Sequence, residues 1–258
     1  MKKIIVFTSL VTALCLSSCS PTKVSYSKNF VPPQKIGFIT TVIGPLEQPV
    51  IPLIDAALLN AKINKIAPQI MQMEQRYVNN IERMIAVNLG KPLRCRVVDA
   101  KELRLLPTFQ KLQNDIRLTP PTDFYNRDFS KFICSDYTLC PFSSDKDDLY
   151  KYFTKNEDYQ TTFSVVCKSL NLDMLAVSYS KLNMVQAGVF GIYGKLRLET
   201  YLLLFNQNGV LVAQGRSYTN TTEAEAKDIG DYAEQMGFAE GALKNLLSEF
   251  YNKFPKQK

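Results

Sequence analysis

The 258-residue chain has no histidine and no tryptophan. Without histidine, neither a Ser-His-Asp nor a Cys-His catalytic group can be assembled. The common zinc ligand sets lose their imidazole as well. Chemistry that needs only carboxylates survives, glycoside cleavage above all. Past the leader, no apolar run reaches the roughly 18 residues that mark a membrane helix. Lys and Arg exceed Asp and Glu by 31 to 24, yet they form no compact basic block. A nucleic-acid partner is therefore not expected, and the surplus reads as solubilising charge. The chain shows no internal repeat and no low-complexity tract. Its apolar fraction of 46% is that of an ordinary globular protein, enough to bury a core.

The first residues are of a different kind. Lys2 and Lys3 precede an almost wholly apolar run, Ile4 to Leu16. About 13 residues of helix cannot cross roughly 30 Å of hydrocarbon. A basic start, a short apolar core and small residues are instead the marks of a secretory signal peptide. Leu16-Ser17-Ser18-Cys19 resembles the bacterial lipobox. That resemblance implies cleavage after Ser18 and lipidation of Cys19. Acyl chains such as palmitate then hold the chain to a membrane, at about 0.8 kcal/mol per buried CH₂. Ser20 at the second mature position points to the outer membrane by the enteric sorting rule. Residues 1–18 are read as signal peptide and 19–34 as a polar, proline-containing lipidated tether. Residues 35–258 are read as a single α/β domain with an insertion at about 107–160.

Cleavage removes Cys15 and lipid occupies Cys19, which leaves Cys95, Cys134, Cys140 and Cys167. An oxidising envelope permits disulfides, and four cysteines allow three pairings. Cys134 and Cys140 enclose a loop of five residues and are the favoured disulfide. Cys95 and Cys167 stand in strand-like and helix-like apolar contexts. They either pair or remain buried thiols.

Hydrophobic periodicity orders the rest. Lys35–Ile43 reads as the first strand, closed by Gly44-Pro45. Ile63, Ile66, Ile70, Met73, Tyr77, Ile81 and Met84 recur every three or four residues, one face of a long helical region. Pro68 kinks it and Leu89-Gly90 stops it. Leu93–Val98 alternates as a second strand, and Ala100–Leu106 reads as a short helix. Prolines, crowded rings and interleaved aspartates make 107–160 loop-rich. A helix over Tyr159–Leu170 follows, then Met174–Tyr179, a strand apolar on both faces and so central. A strand over Leu196–Leu204 turns at Asn208-Gly209 into a strand over Val210–Tyr218. A helix over Asp231–Lys253 ends the fold. The sheet is expected to be mixed or antiparallel, flanked by the long N-terminal helical region and the C-terminal helix.

Four segments, Lys35–Ile39, Arg94–Leu103, Leu172–Val177 and Leu202–Val212, carry a resemblance in this order. They resemble a group of Gram-negative envelope lipoproteins. The group includes the curli-pore lipoprotein CsgG, the lipoprotein activators of penicillin-binding proteins and the amino-terminal domain of TolB. The likeness covers roughly residues 35–105 and 158–253. Two departures stand against a secretion pore: the insertion, and the lack of two long amphipathic hairpins that would build a barrel.

No residues read as catalytic, no cofactor is implied, and no metal site is expected. Asp145, Asp147 and Asp148 are too few oxygen donors for calcium without a defined loop. Glu199 and Glu223 are lone carboxylates that a solvated strand and a helix start explain. Phe124, Tyr125, Phe129 and Tyr137 of the insertion either form a recognition surface or bury their own rings as a satellite core. Phe190 and Tyr193, in the apolar loop Gly188–Gly194, either meet lipid or a partner or fold back on the sheet. The favoured function is a non-enzymatic outer-membrane lipoprotein, a periplasmic binding, scaffold or assembly-accessory protein. Its partner would be an envelope protein or a peptidoglycan-type glycan. The alternatives are a glycan-binding or glycan-cleaving lipoprotein, and a subunit of an oligomeric secretion or assembly complex, for which a homo-oligomer would be the form.

Overall fold

A computed structural model describes residues 22–43, 76, 78–109, 111, 133–134, 158–187, 193–220, 224–225 and 239–255. The chain first forms β1 (Lys23–Tyr26), β2 (Lys35–Ile43), helix α1 (78–88), the short helix α2 (Gly90–Leu93) and β3 (Arg96–Val98). Next come α3 (Ala100–Arg104), β4 (Ile133–Cys134), α4 (Asp158–Ser169) and β5 (Met174–Ala187). Last are β6 (Tyr193–Asn206), β7 (Leu211–Asn220), β8 (Ala224–Glu225) and α5 (Ala239–Asn252). The strands make one sheet in the order β1-β7-β6-β5-β2-β3, with β4 on β2 and β8 on β6. β2 runs parallel to β3 and to β5. β5, β6 and β7 form an antiparallel meander. The fold is α/β, and its sheet is mixed.

Two apolar layers hold the sheet between helices. Successive side chains of a strand point to opposite faces. On β5, Met174 and Ala176 join one cluster, while Leu175, Val177 and Tyr179 join the other. α1 covers the first face through Val78, Ile81 and Ile85, and α5 covers it through Leu243, Leu246 and Phe250. Leu103 of α3, Phe109, and Phe163 and Val166 of α4 cover the second. Phe163 meets Phe205 edge-on at 4.8 Å. α5 lies close because β7 carries Gly215 beneath it. A Cβ there would stand 2.4 Å from Phe250 Cε2 and 2.7 Å from Leu246 Cδ1.

One row under the first layer is polar. Thr41, Ser178, Ser180, Thr200, Ser217 and Thr22 are all buried. The hydroxyls of Ser180 and Thr200 are 3.1 Å apart, and those of Thr22 and Ser217 are 2.9 Å apart. Ser178 Oγ has no hydrogen-bond partner among the described residues.

Residues 22–34 correct the expected tether. β1 pairs with β7 from Lys23 opposite Arg216 to Tyr26 opposite Ala213. The Tyr26 hydroxyl donates to the Phe250 carbonyl at 2.9 Å. The Tyr26 ring meets Phe30 at 4.6 Å and Phe250 at 5.8 Å, both edge-on. Burial raises the Tyr26 phenol well above its usual range. Lys35–Ile43 is therefore the second strand. The expected strand over Leu93–Val98 shortens to Arg96–Val98. Leu93 closes α2, and Arg94 follows in the left-handed conformation at φ 52. Its N–H donates to the Lys91 carbonyl at 3.3 Å, a helix-end bond that no strand makes.

Candidate functional site

Three chain segments meet at the end of the sheet where β2 and β5 begin. Asp173 fastens the first two. Its Oδ2 accepts from the backbone N–H of Gln34 at 2.8 Å and of Lys35 at 2.9 Å. Its own N–H donates to the Lys35 carbonyl at 2.9 Å. Asp173 is delivered there by the stop of α4. Asn171 turns left-handed at φ 51, and Leu172 N–H donates back to the Cys167 carbonyl at 2.9 Å. Asparagine adopts that conformation more readily than other non-glycine residues.

The third segment is the β6–β7 turn. Asn206 Oδ1 accepts from the N–H of Asn208 at 2.9 Å and of Val210 at 3.1 Å. Gly209 has φ 73, and a Cβ there would lie 2.2 Å from the Gln160 carbonyl oxygen. Only glycine satisfies both the dihedral and the contact. Gln207 Nε2 donates to the Leu172 carbonyl at 3.2 Å, tying the turn to the start of β5.

These segments and residues 29–34 enclose a cleft of about 540 Å³. Asn29, Gln34, Asn206, Gln207 and Asn208 line it with carboxamides, and Asp173 is its single charge. Pro32, Pro33, Met174 and Val212 add apolar surface. The volume falls in the usual range for ligand sites. Each carboxamide has an acceptor oxygen and two N–H donors, so the lining matches a neutral ligand rich in hydroxyls or amides. A second, more open hollow of about 570 Å³ lies beside α2, where Lys91, Arg94 and Arg96 surround Cys95. Arg96 is held there by an ion pair to Glu102.

Cys95 and Cys167 are both free thiols. Burial, with the Asp173 charge added, pushes the Cys95 thiol up to about 11. The same two causes push Cys167 up to about 12, with Lys168 opposing. Both stay protonated near neutrality and are poor nucleophiles. Of the two readings open to this pair, unpaired thiols is the one observed, with Cys167 buried and Cys95 half-buried. Cys134 lies on β4, and its expected partner Cys140 lies outside the described residues.

Glu199 stands on β6, where its Oε2 accepts from the Tyr201 hydroxyl at 2.7 Å. Burial, then Glu199, raises the Tyr201 phenol above its usual range, and Arg216 opposes. Tyr179 stacks on Tyr201 at 6.0 Å, and the Arg197 guanidinium sits 4.7 Å over Tyr218. Glu199 thus serves a phenol in a mixed charged and aromatic patch. Tyr193 begins β6, opposite Ala187 and Glu225. Cys19, Phe124, Tyr125, Phe129, Tyr137, Phe190, Glu223 and the Asp145–Asp148 group lie outside the described residues. Among the described residues, no cluster of three or more His, Cys, Asp or Glu could hold a metal.

The cleft was missed from sequence because its walls come from positions 29–34, 173–174 and 206–212. The run Asn206-Gln207-Asn208 was the available signal, and its amides read as turn residues.

No family model matches the chain. No curated protein sequence matches it either. Solved structures that align with it include two crystal forms of the PelC dodecamer from Paraburkholderia phytofirmans. One aligns at 9% identity and a TM-score of 0.33, over 89% of this chain and 96% of that one. The other aligns at 10% identity and a TM-score of 0.29, over 92% and 98%. The Evf virulence factor aligns at 10% identity and a TM-score of 0.21, over 84% and 80%. Likenesses at these scores carry no argument about this chain.

Proposed function

We propose that the protein is a non-enzymatic outer-membrane lipoprotein, anchored through Cys19, that holds an envelope partner in the amide-lined cleft. The cleft carries the reading. The carboxamides of Asn29, Gln34 and Asn208 are the groups that can bind a neutral, hydroxyl- or amide-bearing ligand, while those of Asn206 and Gln207 also brace the turn beside them. The absence of histidine removes the commonest general base. Glycan strands of peptidoglycan have the matching chemistry, being rich in hydroxyl and acetamido groups. Envelope proteins offering an extended backbone are the other class of partner the lining suits. The signal Leu16–Cys19 supports the location.

Calorimetry on the protein from Ser20 onward, titrated with soluble peptidoglycan fragments, tests the reading. Asn29→Ala, Gln34→Ala and Asn208→Ala should each weaken binding by roughly fivefold, about 1 kcal/mol for one hydrogen bond. Turnover of the fragments would defeat the non-enzymatic assignment. Binding that all three substitutions leave intact would place the site elsewhere.

A further inference from the structure

Gln34 lines both the amide-lined cleft and the hollow beside α2. Its backbone is held from either side. The N–H donates to Asp173 Oδ2 at 2.8 Å, and the carbonyl accepts from the Arg96 N–H at 2.9 Å. The exposed Gln34 carboxamide therefore stands on a fixed backbone between the two. They are close neighbours. β5, β2 and β3 are consecutive in the sheet, so the backbones of Asp173 and Arg96 flank the start of β2 at two strand spacings, about 10 Å apart.

Their charges differ in sign. Asp173 is the single charge of the cleft. Lys91, Arg94 and Arg96 line the hollow, and no carboxylate lines it among the described residues. Arg83, one turn before Val87 on α1, adds a fourth cation on that side. Arg96 already pairs with Glu102. Lys91 and Arg94 are exposed and have no ion pair among the described residues. Cations beside a helix C-terminus commonly serve its last carbonyls. Here backbone does that work: Arg94 N–H donates to the Lys91 carbonyl, and Cys95 N–H to the Gly90 carbonyl at 3.0 Å. The turn is also closed tightly, since a Cβ on Gly90 would lie 2.6 Å from the Cys95 oxygen. Lys91 and Arg94 thus project from a fixed turn with their donors unspent.

We infer that the ligand of the cleft is an acidic glycan fragment, whose carboxylate reaches past Gln34 into the hollow and is bound there by Lys91 and Arg94. The inference rests on the cleft reading proposed above and gives its ligand a charge and a direction. The neutral hydroxyl and amide groups lie among the carboxamides. The carboxylate is repelled by Asp173 and drawn to the cations about 10 Å away. A guanidinium meets a carboxylate through two parallel N–H bonds, so Arg94 is the group that favours this anion. Ala86, Val87 and Val97 give the hollow an apolar wall for the carbon skeleton beside it.

The full-length protein in a polyoxyethylene detergent is titrated calorimetrically with soluble peptidoglycan fragments. One set keeps its carboxyl groups, and the other has them amidated. At low salt the free acid should bind about tenfold tighter, a difference of about 1.4 kcal/mol. Added salt should shrink that preference, because the cations are exposed. Lys91→Gln with Arg94→Gln should abolish it and leave the affinity for amidated fragments unchanged, which also shows that the variant is folded. Arg94→Lys alone should keep part of it. Cys95 reports the position, since it lines the hollow. Its labelling by N-ethylmaleimide, read by peptide mass, should slow more with the free acid bound than with the amidated form. Equal affinity for the two forms overturns the inference and leaves the cleft reading standing. So does a preference that survives both substitutions. Failure of both forms to bind overturns the cleft reading, and the inference with it.

Discussion

Replacing Gly215 with alanine drives a methyl group into the underside of α5. The new Cβ would meet Phe250 at 2.4 Å and 3.0 Å and Leu246 at 2.7 Å. Neither side chain has room to retreat. Phe250 and Leu246 are fully buried, and the Phe250 ring is backed by Tyr26 at 5.8 Å. Overpacking of this kind costs about 1–3 kcal/mol, and the two contacts below 3 Å place Gly215→Ala at the upper end, near 3. Phe250→Ala alone should cost about 3–5 kcal/mol through lost burial and a cavity. In the double variant the methyl occupies space the ring has left. The overpacking against the ring then disappears and only the Leu246 contact is left, so the two costs should fall short of additivity by about 1–2 kcal/mol. Urea unfolding of the four proteins from Ser20 onward measures this directly, with m-values checked for constancy. Gly241→Ala is the opposite control. No atom lies within 4 Å of its Cβ position, and it is exposed on α5, so alanine should stabilise by about 0.5–1 kcal/mol. Additivity of Gly215→Ala and Phe250→Ala within about 0.5 kcal/mol would refute the packing argument.

Other outcomes follow from single groups. Ser178→Ala removes a buried hydroxyl without a partner among the described residues, so urea unfolding should find it neutral or stabilising by up to about 1 kcal/mol. A loss larger than that would mean that the hydroxyl is bonded after all. Asp173→Asn removes the negative charge that raises both thiols, so Cys95 should alkylate faster at a given pH. An unchanged rate profile would assign the shift to burial alone. Stability should also fall as pH rises from 9 toward 11 and 12. Unfolded thiols release their protons near 9.0, whereas folded Cys95 and Cys167 hold theirs to about 11 and about 12. In that window the unfolded chain binds fewer protons, which makes the slope negative. Urea midpoints at pH 8, 9.5 and 10.5 read it, and Cys95→Ser with Cys167→Ala should lessen it, the raised Tyr26 and Tyr201 phenols supplying the remainder.

The elements legible in the sequence are those whose signal is local. β5 reads as central because Leu175 and Ala176 are both apolar yet bury on opposite faces. α4 reads from a 3.6-residue period, and its observed span Asp158–Ser169 differs by one residue at each end from the expected one. Asn208-Gly209 announces its turn because φ 73 is open to glycine. β1 gives no such signal. Four residues of an edge strand with one buried position, Val24, amid prolines and lysines, look like linker. Its place comes from β7 and from the rings of Phe250 and Phe254, more than 180 residues away. Leu93–Val98 misreads for the opposite reason. Its alternation is real, but Arg94 takes a left-handed cap that a two-residue period cannot reveal.

By itself, then, the sequence determined the fold class, the central strand, the turn at Gly209 and the exclusion of histidine chemistry. Each depends on composition or on neighbours within a few residues. Only the tertiary structure decided that residues 22–34 belong to the domain, that Cys95 and Cys167 remain thiols, and that Asp173 latches β2 to β5. It alone gathered the amides of 29–34 and 206–208 around one cleft. These depend on strand register and on burial, which bring together segments that carry no mark of one another along the chain.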